Sequence, residues 1–310
     1  MAANVETMFY TREKPWHGLG VQVQEAPESS VALEVAGLDW EVLQKSIYTD
    51  VGEEIAGYKA NVRDIDGKVL GVVSNRYKVV QNKEAFAFTD ELLGKGVRYE
   101  TAGSLQDGKK VWLLARLPRE YIIMGEQISP YLVFSNSHDG SGAVKVAITP
   151  IRVVCNNTLN LALGTAKRSF SMIHTGDVKE KVQEARQTLF MAEEYMAKLG
   201  MEFERLRDQK LRDGQVKDYI EQLLPIEDKA TITQIKNVRR QREDMASRYY
   251  DAPDLRDLGN NAYRFVNAVS DFATHSDPLR KTSNYNENLF ARTMEGNPLI
   301  DRAYQLVCAA

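Results

Sequence analysis

The chain changes its hydrophobic rhythm near residue 175. Before that point apolar residues come in short runs separated by Gly-containing turns, the pattern of strands and hairpins. After it they recur at helical spacing almost to the end. In the first half, Tyr48–Arg63 and Val69–Ser74 predict two strands, with Asp66-Gly67 as the hairpin turn between them. Asn82 is placed to cap a helix running to about Leu93, which Gly94 and Gly96 end. Val97–Ser104 and Val111–Leu117 predict a strand pair around Asp107-Gly108, and Ile128–Asn136 and Ala143–Val154 another around Asp139-Gly140-Ser141-Gly142. Asn156 or Asn157 then caps a short apolar helix, Thr158–Leu163. Consecutive hairpins make the meander antiparallel. The expected class is therefore α+β: a hairpin–helix–antiparallel meander–helix core followed by a largely helical half.

In that second half Asp177 precedes Val178, Val182, Ala185, Leu189, Ala192, Met196, Leu199, Phe203 and Leu206. Steps of four and three alternate along this run, so it predicts one long helix with a heptad seam, packed against a partner helix. From Asp177 to Arg212 it would be ~54 Å long at 1.5 Å per residue. Gly214 marks a break, and Val216, Tyr219, Ile220 and Leu223 predict a shorter helix ending at Pro225. Ile232, Ile235, Val238, Met245 and Tyr249 mark a third, Ala262–Phe272 a fourth, and Asn297-Pro298 the start of the last. Two domains are expected: 1–174, an α+β core, and 175–310, a helical domain for packing or assembly.

Composition narrows the function classes. Of 310 residues, 43% are hydrophobic and 27% charged, which is the balance of a globular protein. Lys plus Arg is 40 against 43 Asp plus Glu, giving a net charge of −3. That excludes a uniformly basic coat for nucleic acid but leaves room for a local basic groove. No apolar run approaches the ~18 residues of a membrane-spanning helix. Met1–Lys14 lacks an apolar signal core. Cys155 and Cys308 are far apart and in no CxxC pair, so a reducing cytoplasm is the expected compartment.

No catalytic constellation emerges. Gly140-Ser141-Gly142-Ala143-Val144-Lys145 lacks the GK[ST] ending of a phosphate loop. His138-Asp139 has no further His or Asp at metal-ligand spacing, and His17, His174 and His275 are scattered. No catalytic residue, metal or cofactor is expected. The polar stretch from Ser135 through Asn136, His138 and Asp139 to Gly142 has two readings, a hairpin loop held by Asx turns or a ligand-contacting loop. Cations gather near aromatics: Arg76 and Lys78 flank Tyr77, and Lys110 lies two residues before Trp112. Lys145, Arg152, Lys167 and Arg168 stand against Asp139 alone between Asn136 and His174. Basic groups beside rings suit single-stranded nucleic acid, because cations track phosphates and rings stack on bases. Residues 1–174 are thus the candidate DNA-binding domain, with Trp112 and Tyr77 as the candidates for base stacking and the apolar neighbours Val111, Leu113 and Leu114 favouring a core position for Trp112. Arg152 interrupts the apolar strand Ala147–Val154, where a cation either meets a ligand phosphate or is buried and paired.

Several strings carry a resemblance. Pro15-Trp16-His17-Gly18-Leu19-Gly20, Asn136-Ser137-His138-Asp139-Gly140-Ser141, Pro150-Ile151-Arg152-Val153-Val154-Cys155-Asn156-Asn157-Thr158-Leu159 and Asn261–Phe272 resemble the phage/plasmid-like protein family known as domain of unknown function 932. The resemblance implies a protein encoded by a phage, prophage or plasmid and working in the cytoplasm of a bacterial host. The order of hairpin, helix, meander and helix is also similar to single-strand annealing recombinases of the RecT, Redβ and Erf kind. Those proteins pair complementary strands and assemble into rings or filaments without a nucleotide cofactor. The expected function is single-stranded DNA binding and strand annealing in recombination or replication. The resemblance further implies a homo-oligomer and, as partners, a phage exonuclease or a host single-strand-binding protein, with no membrane. Two rival readings are a nucleic-acid- or nucleotide-processing enzyme using His138, Asp139 and Asn157, and a counter-defence protein that does not touch DNA.

Overall fold

The computed structural model describes residues 5–11, 20–94, 97–117, 121–123, 126–152, 157–158, 169–175, 194–276 and 297–309. The fold is α+β. The chain forms two compact units that alternate along the sequence. Unit 1 takes Met1–Pro118, Tyr131–Ile148 and Lys167–Ala192; unit 2 takes Arg119–Pro130, Thr149–Ala166 and Glu193–Ala310.

Unit 1 begins with β1 (Val5–Tyr10), β2 (Val21–Gln22) and α1 (Ser29–Val35). Then come β3 (Val42–Tyr48), β4 (Glu54–Arg63), β5 (Val69–Ser74), α2 (Asn82–Leu93), β6 (Arg98–Leu105) and β7 (Lys110–Arg116). After β8 (Tyr121–Ile123) follow β9 (Glu126–Ser137), β10 (Val144–Arg152), β11 (Asn157–Thr158) and β12 (Ser169–Met172). The larger sheet of unit 1 has the order β10-β9-β7-β6-β1-β2, with β12 on β10. Strand alternation builds its core: Val111, Leu113 and Ala115 on β7 and Leu132 and Phe134 on β9 point to one face, where Phe86 and Phe88 of α2 cover them. β3, β4 and β5 form a separate antiparallel sheet.

Several expectations are corrected here. The strand expected over Tyr48–Arg63 is two strands. β3 ends at Tyr48, the Thr49 amide donates to the Glu53 carbonyl, Gly52 takes φ +85°, and β4 starts at Glu54. Asn82 does not cap α2. The cap is Gln81, which forms a reciprocal box with Glu84, while the Asn82 side chain is buried and donates to the Leu38 carbonyl at 3.0 Å. Asn157 is not a helix cap: it sits in β11, opposite Arg152. Thr158 is in the same strand, so no helix starts there, and 159–163 lie outside the described residues. The parallel β1–β2 pair, which closes the sheet beyond β6, carries no hairpin signal and was not expected.

Unit 2 contains α3 (helical over the described residues 194–208), α4 (Asp213–Leu223), α5 (Ile232–Asp251), α6 (Ala262–His275) and α7 (Pro298–Cys308). The seam residues Met196, Leu199, Phe203 and Leu206 are all buried, as a heptad pattern requires. Its earlier members, Val178 to Ala192, lie outside the described residues. Most of α6 is buried, with Asn261 as its cap accepting the Arg264 amide at 2.8 Å. The buried Arg264 guanidinium donates to the carbonyls of Tyr249 and Tyr250 at 2.6 and 3.0 Å. It thereby satisfies orphan acceptors in the last turn of α5. β8 pairs with the first residues of β9, and Tyr121 and Ile128 join the helical core of this unit.

Candidate functional site

In unit 1 the extended segment after β5 organises the polar residues singled out by sequence. Tyr77 is buried, stacks on His174 with ring centroids 4.3 Å apart, and donates its hydroxyl to the Ser137 carbonyl. Burial and the nearby Asp139 charge push its phenol up from the ordinary range. This ring is committed to the core, so it is not the base-stacking residue that its basic neighbours suggested. The Lys78 amide and carbonyl both engage His174, at 2.6 and 3.1 Å. Asn136 donates to the Val80 carbonyl at 2.9 Å. His138 shares a 3.0 Å hydrogen bond with Asn82, and Asn61 of β4 donates to the His138 carbonyl at 2.7 Å. Residues 78, 80 and 82 thus each fasten one polar side chain from elsewhere in the unit.

His138 is fully buried, with the Trp40 ring edge-on to it at 5.4 Å. Burial, with a lesser push from His174, lowers its pKa to about 3. His174 is lowered too, chiefly by burial. Asp139 accepts from the Ser137 hydroxyl at 2.5 Å and the Ser141 amide at 2.8 Å. Partial burial opposes its ionisation, but these hydrogen bonds and the Lys110 charge outweigh burial and hold the carboxyl below its usual value. Of the two readings of this loop, the geometry matches the Asx-turn one: His138 and Asp139 lock the loop. Gly71 of β5 lies so close that a Cβ there would sit 2.6 Å from the Asp139 Cα, and Asn61 and Gly71 are paired across β4 and β5.

The predicted cations fare unequally. Arg76 and Lys78 are exposed beside this segment. Lys110 and Lys145 are half-buried, opposite Ser137 and Ser171 in their ladders. The backbone of Arg152 lies in β10 and that of Asn157 in β11, both in unit 2. Trp16, His17, Lys167 and Arg168 lie outside the described residues.

The sheet β3-β4-β5 adds residues that sequence reading missed. Asn61 and Arg63 belong to the face turned into the unit, where Arg63 forms ion pairs with Glu6 and Asp66 at 2.8 and 2.6 Å. The other face is open along its flanking strands, while Ala60 and Val62 in the central strand are buried. Its ladder rows are Leu43–Val62–Val69, Lys45–Ala60–Val72 and Tyr58–Ser74. Tyr58 is 53% exposed and Val72 54%, and Leu43, Lys45 and Val69 are exposed as well. The run Val42-Leu43-Gln44-Lys45-Ser46-Ile47-Tyr48 shows no clean alternation, so neither β3 nor this face was legible from it.

The family model described as Domain of unknown function (DUF932) matches residues 69–294. That span includes the strings at 136–141, 150–159 and 261–272 and excludes the one at 15–20. No curated protein and no solved structure matches the chain. With more than half of its residues matched by one family model, the chain belongs to the DUF932 family.

Proposed function

We propose that this protein binds single-stranded DNA and pairs complementary strands without a nucleotide cofactor, serving phage or plasmid recombination or replication in a bacterial cytoplasm. The observation that carries the reading is the open face of β3-β4-β5. Tyr58 stands exposed, with Lys45 and Val72 in the adjacent row and Leu43 and Val69 one row further on. A pleated face with an exposed ring, aliphatic neighbours and a cation offers bases a stacking platform and phosphates a counter-charge. Arg76 and Lys78, just beyond β5, extend the cationic side. Lys110, Lys145, Arg152, Lys167 and Arg168 are the further candidates for phosphate contacts. Annealing brings two bound strands together, so the working form is a homo-oligomer, with a phage exonuclease or a host single-strand-binding protein as natural partners.

The test is binding of a single strand of ~30 nucleotides, longer than one site of ~4–16, across a salt series. Tyr58→Ala should weaken binding by ~1–3 kcal/mol if one base stacks there. Lys45→Gln should reduce the magnitude of the salt slope by roughly 0.7. No binding at low salt, or binding untouched by both substitutions, rejects the reading.

A further inference from the structure

Helix α5 is anchored through its C-terminal half. Its buried residues are Met245 and Tyr249; none is buried between Ile232 and Asp244, and Ile232 is 75% exposed. The stretch 229–242 holds Lys229, Lys236, Arg239, Arg240 and Arg242 and no Asp or Glu, and it is bounded by Glu227-Asp228 and Glu243-Asp244. Nine residues, two and a half turns, separate Lys236 from Met245, so the two lie on opposite sides of the helix. Arg239 and Arg240 share the Lys236 side. Arg242, on the flank, donates to the Leu224 carbonyl at 2.9 Å and pairs with Glu221 at 3.5 Å. Lys236, Arg239 and Arg240 are exposed and form no ion pair among the described residues.

This arrangement is unfavourable for the helix alone. Lys236 repels Arg239 and Arg240 at spacings of three and four, and Arg239 repels Arg242 at three; Glu243, four from Arg239 and three from Arg240, offsets part of this, while Asp244 is paired with Arg248. A polyanion relieves all of these at once. A lipid surface fits poorly, because interfacial helices need a broad apolar face. Here Met245 and Tyr249 are turned into the core of the unit, and Ile232 is the one strongly exposed aliphatic residue.

We propose that the Lys236–Arg239–Arg240 ridge of α5 binds the phosphates of duplex DNA. A helix ~10–12 Å across matches a major groove ~12 Å wide. Thr233 and Asn237, exposed or half-exposed beside the ridge, supply uncharged hydrogen-bonding groups. The inference takes nucleic acid as the ligand from the reading above, but assigns a different form, the annealed product, to a different unit. Unit 1 handles the strand and unit 2 the duplex.

The experiment uses the whole chain and the triple substitution Lys236→Gln, Arg239→Gln, Arg240→Gln, with a mixed-sequence duplex of about 20 base pairs and a ~30-nucleotide single strand, each across a salt series. All three side chains are exposed and repel one another, so the thermal midpoint should not fall, which serves as the folding control. The triple variant should lose about tenfold or more in duplex affinity at low salt, and its salt slope should shrink in magnitude by ~2.7, three contacts at ~0.9 each. Tyr58→Ala should leave duplex binding unchanged. Duplex binding that the triple variant retains, with an unchanged slope, overturns the inference. So does a wild-type chain that binds single strands but no duplex, an outcome that leaves the single-strand reading intact. Conversely, duplex binding lost in the triple variant, with no single-strand binding by the wild type, supports the inference and overturns the reading of unit 1. Loss of retention on phosphatidylglycerol vesicles in the triple variant, without duplex binding by the wild type, assigns the ridge to lipid and overturns the inference.

Discussion

At His138 the ring donates through Nε2 to the Asn82 oxygen, and Nδ1 has no partner among the described residues. A proton added at Nδ1 would place a charge in a buried site with no acceptor, which is why the pKa falls to about 3. An unfolded His titrates near 6.5. Above that value neither state is charged at this ring. Below it the unfolded chain takes up a proton that the folded one refuses, so stability falls as pH drops from ~6.5 toward ~3. His174 shifts in the same direction and adds to the effect. Asp139 and Asp66, with lowered pKa values, contribute stability that is lost only at lower pH, below the ordinary carboxylate range. The urea midpoint should therefore decline between pH 7.5 and 5.5, where the carboxylates stay ionised; a flat midpoint over that window contradicts the assignment. Gly71→Ala tests the other side of the loop. Its Cβ would meet backbone atoms of Asp139 at 2.6–2.9 Å, so the β5 strand or the loop must shift. A loss of ~1–3 kcal/mol in urea unfolding is expected, the range for overpacking, and an unchanged stability would show that the contact yields freely.

At the scale of elements, the seam and the caps decide what the sequence could reveal. Leu199 is fully buried among the core residues of unit 2. Leu199→Asp should cost more than ~3 kcal/mol, because it buries a charge with no partner; thermal unfolding within ~1 kcal/mol of wild type would contradict the burial. Asn261→Ala, which removes the cap of α6, should cost ~1 kcal/mol. Helices with strong periodicity were legible: Val216 to Leu223 and Asn297-Pro298 announced α4 and α7, because burying one side of a helix imposes its spacing on the sequence. β5 was legible to the residue from its Asp66-Gly67 turn. β1 and β3 were not. The partners of β1, namely β2 and β6, are distant in sequence or carry no turn signal, and β3 has one face open and one polar, so hydrophobic alternation is lost. The polar links were half legible. Asn136, His138 and Asp139 stood out as a string, but of the partners of His138, Asn61 of β4 looks like an ordinary surface residue and Asn82 of α2 like a helix cap until the chain is folded.

For the whole molecule, the alternation of the two units along the chain has a consequence for any attempt to divide it. A cut between residues 174 and 175 separates the chain where its hydrophobic rhythm changes, yet Arg119–Pro130 and Thr149–Ala166 belong to unit 2, and Lys167–Ala192 to unit 1. The fragment 175–310 would lack Ile128, buried in the helical core, and Tyr121, packed against it. Fully burying a side chain such as Ile128 is worth ~1.5–3 kcal/mol, and the half-buried Tyr121 adds less. Losing two removes a large share of the ~5–15 kcal/mol that keeps an ordinary domain folded. The fragment would also carry the stretch 175–192 without the unit it belongs to. Expressed alone, 175–310 should keep much of its helical circular dichroism, since α4 to α7 lie wholly within it. It should nevertheless unfold at a lower urea midpoint than the whole chain and bind a hydrophobic dye, because apolar surface left by Ile128 and Tyr121 is open to solvent. If 175–310 instead unfolds as sharply and at the same urea concentration as the intact protein, the core of unit 2 does not depend on the segments that precede it.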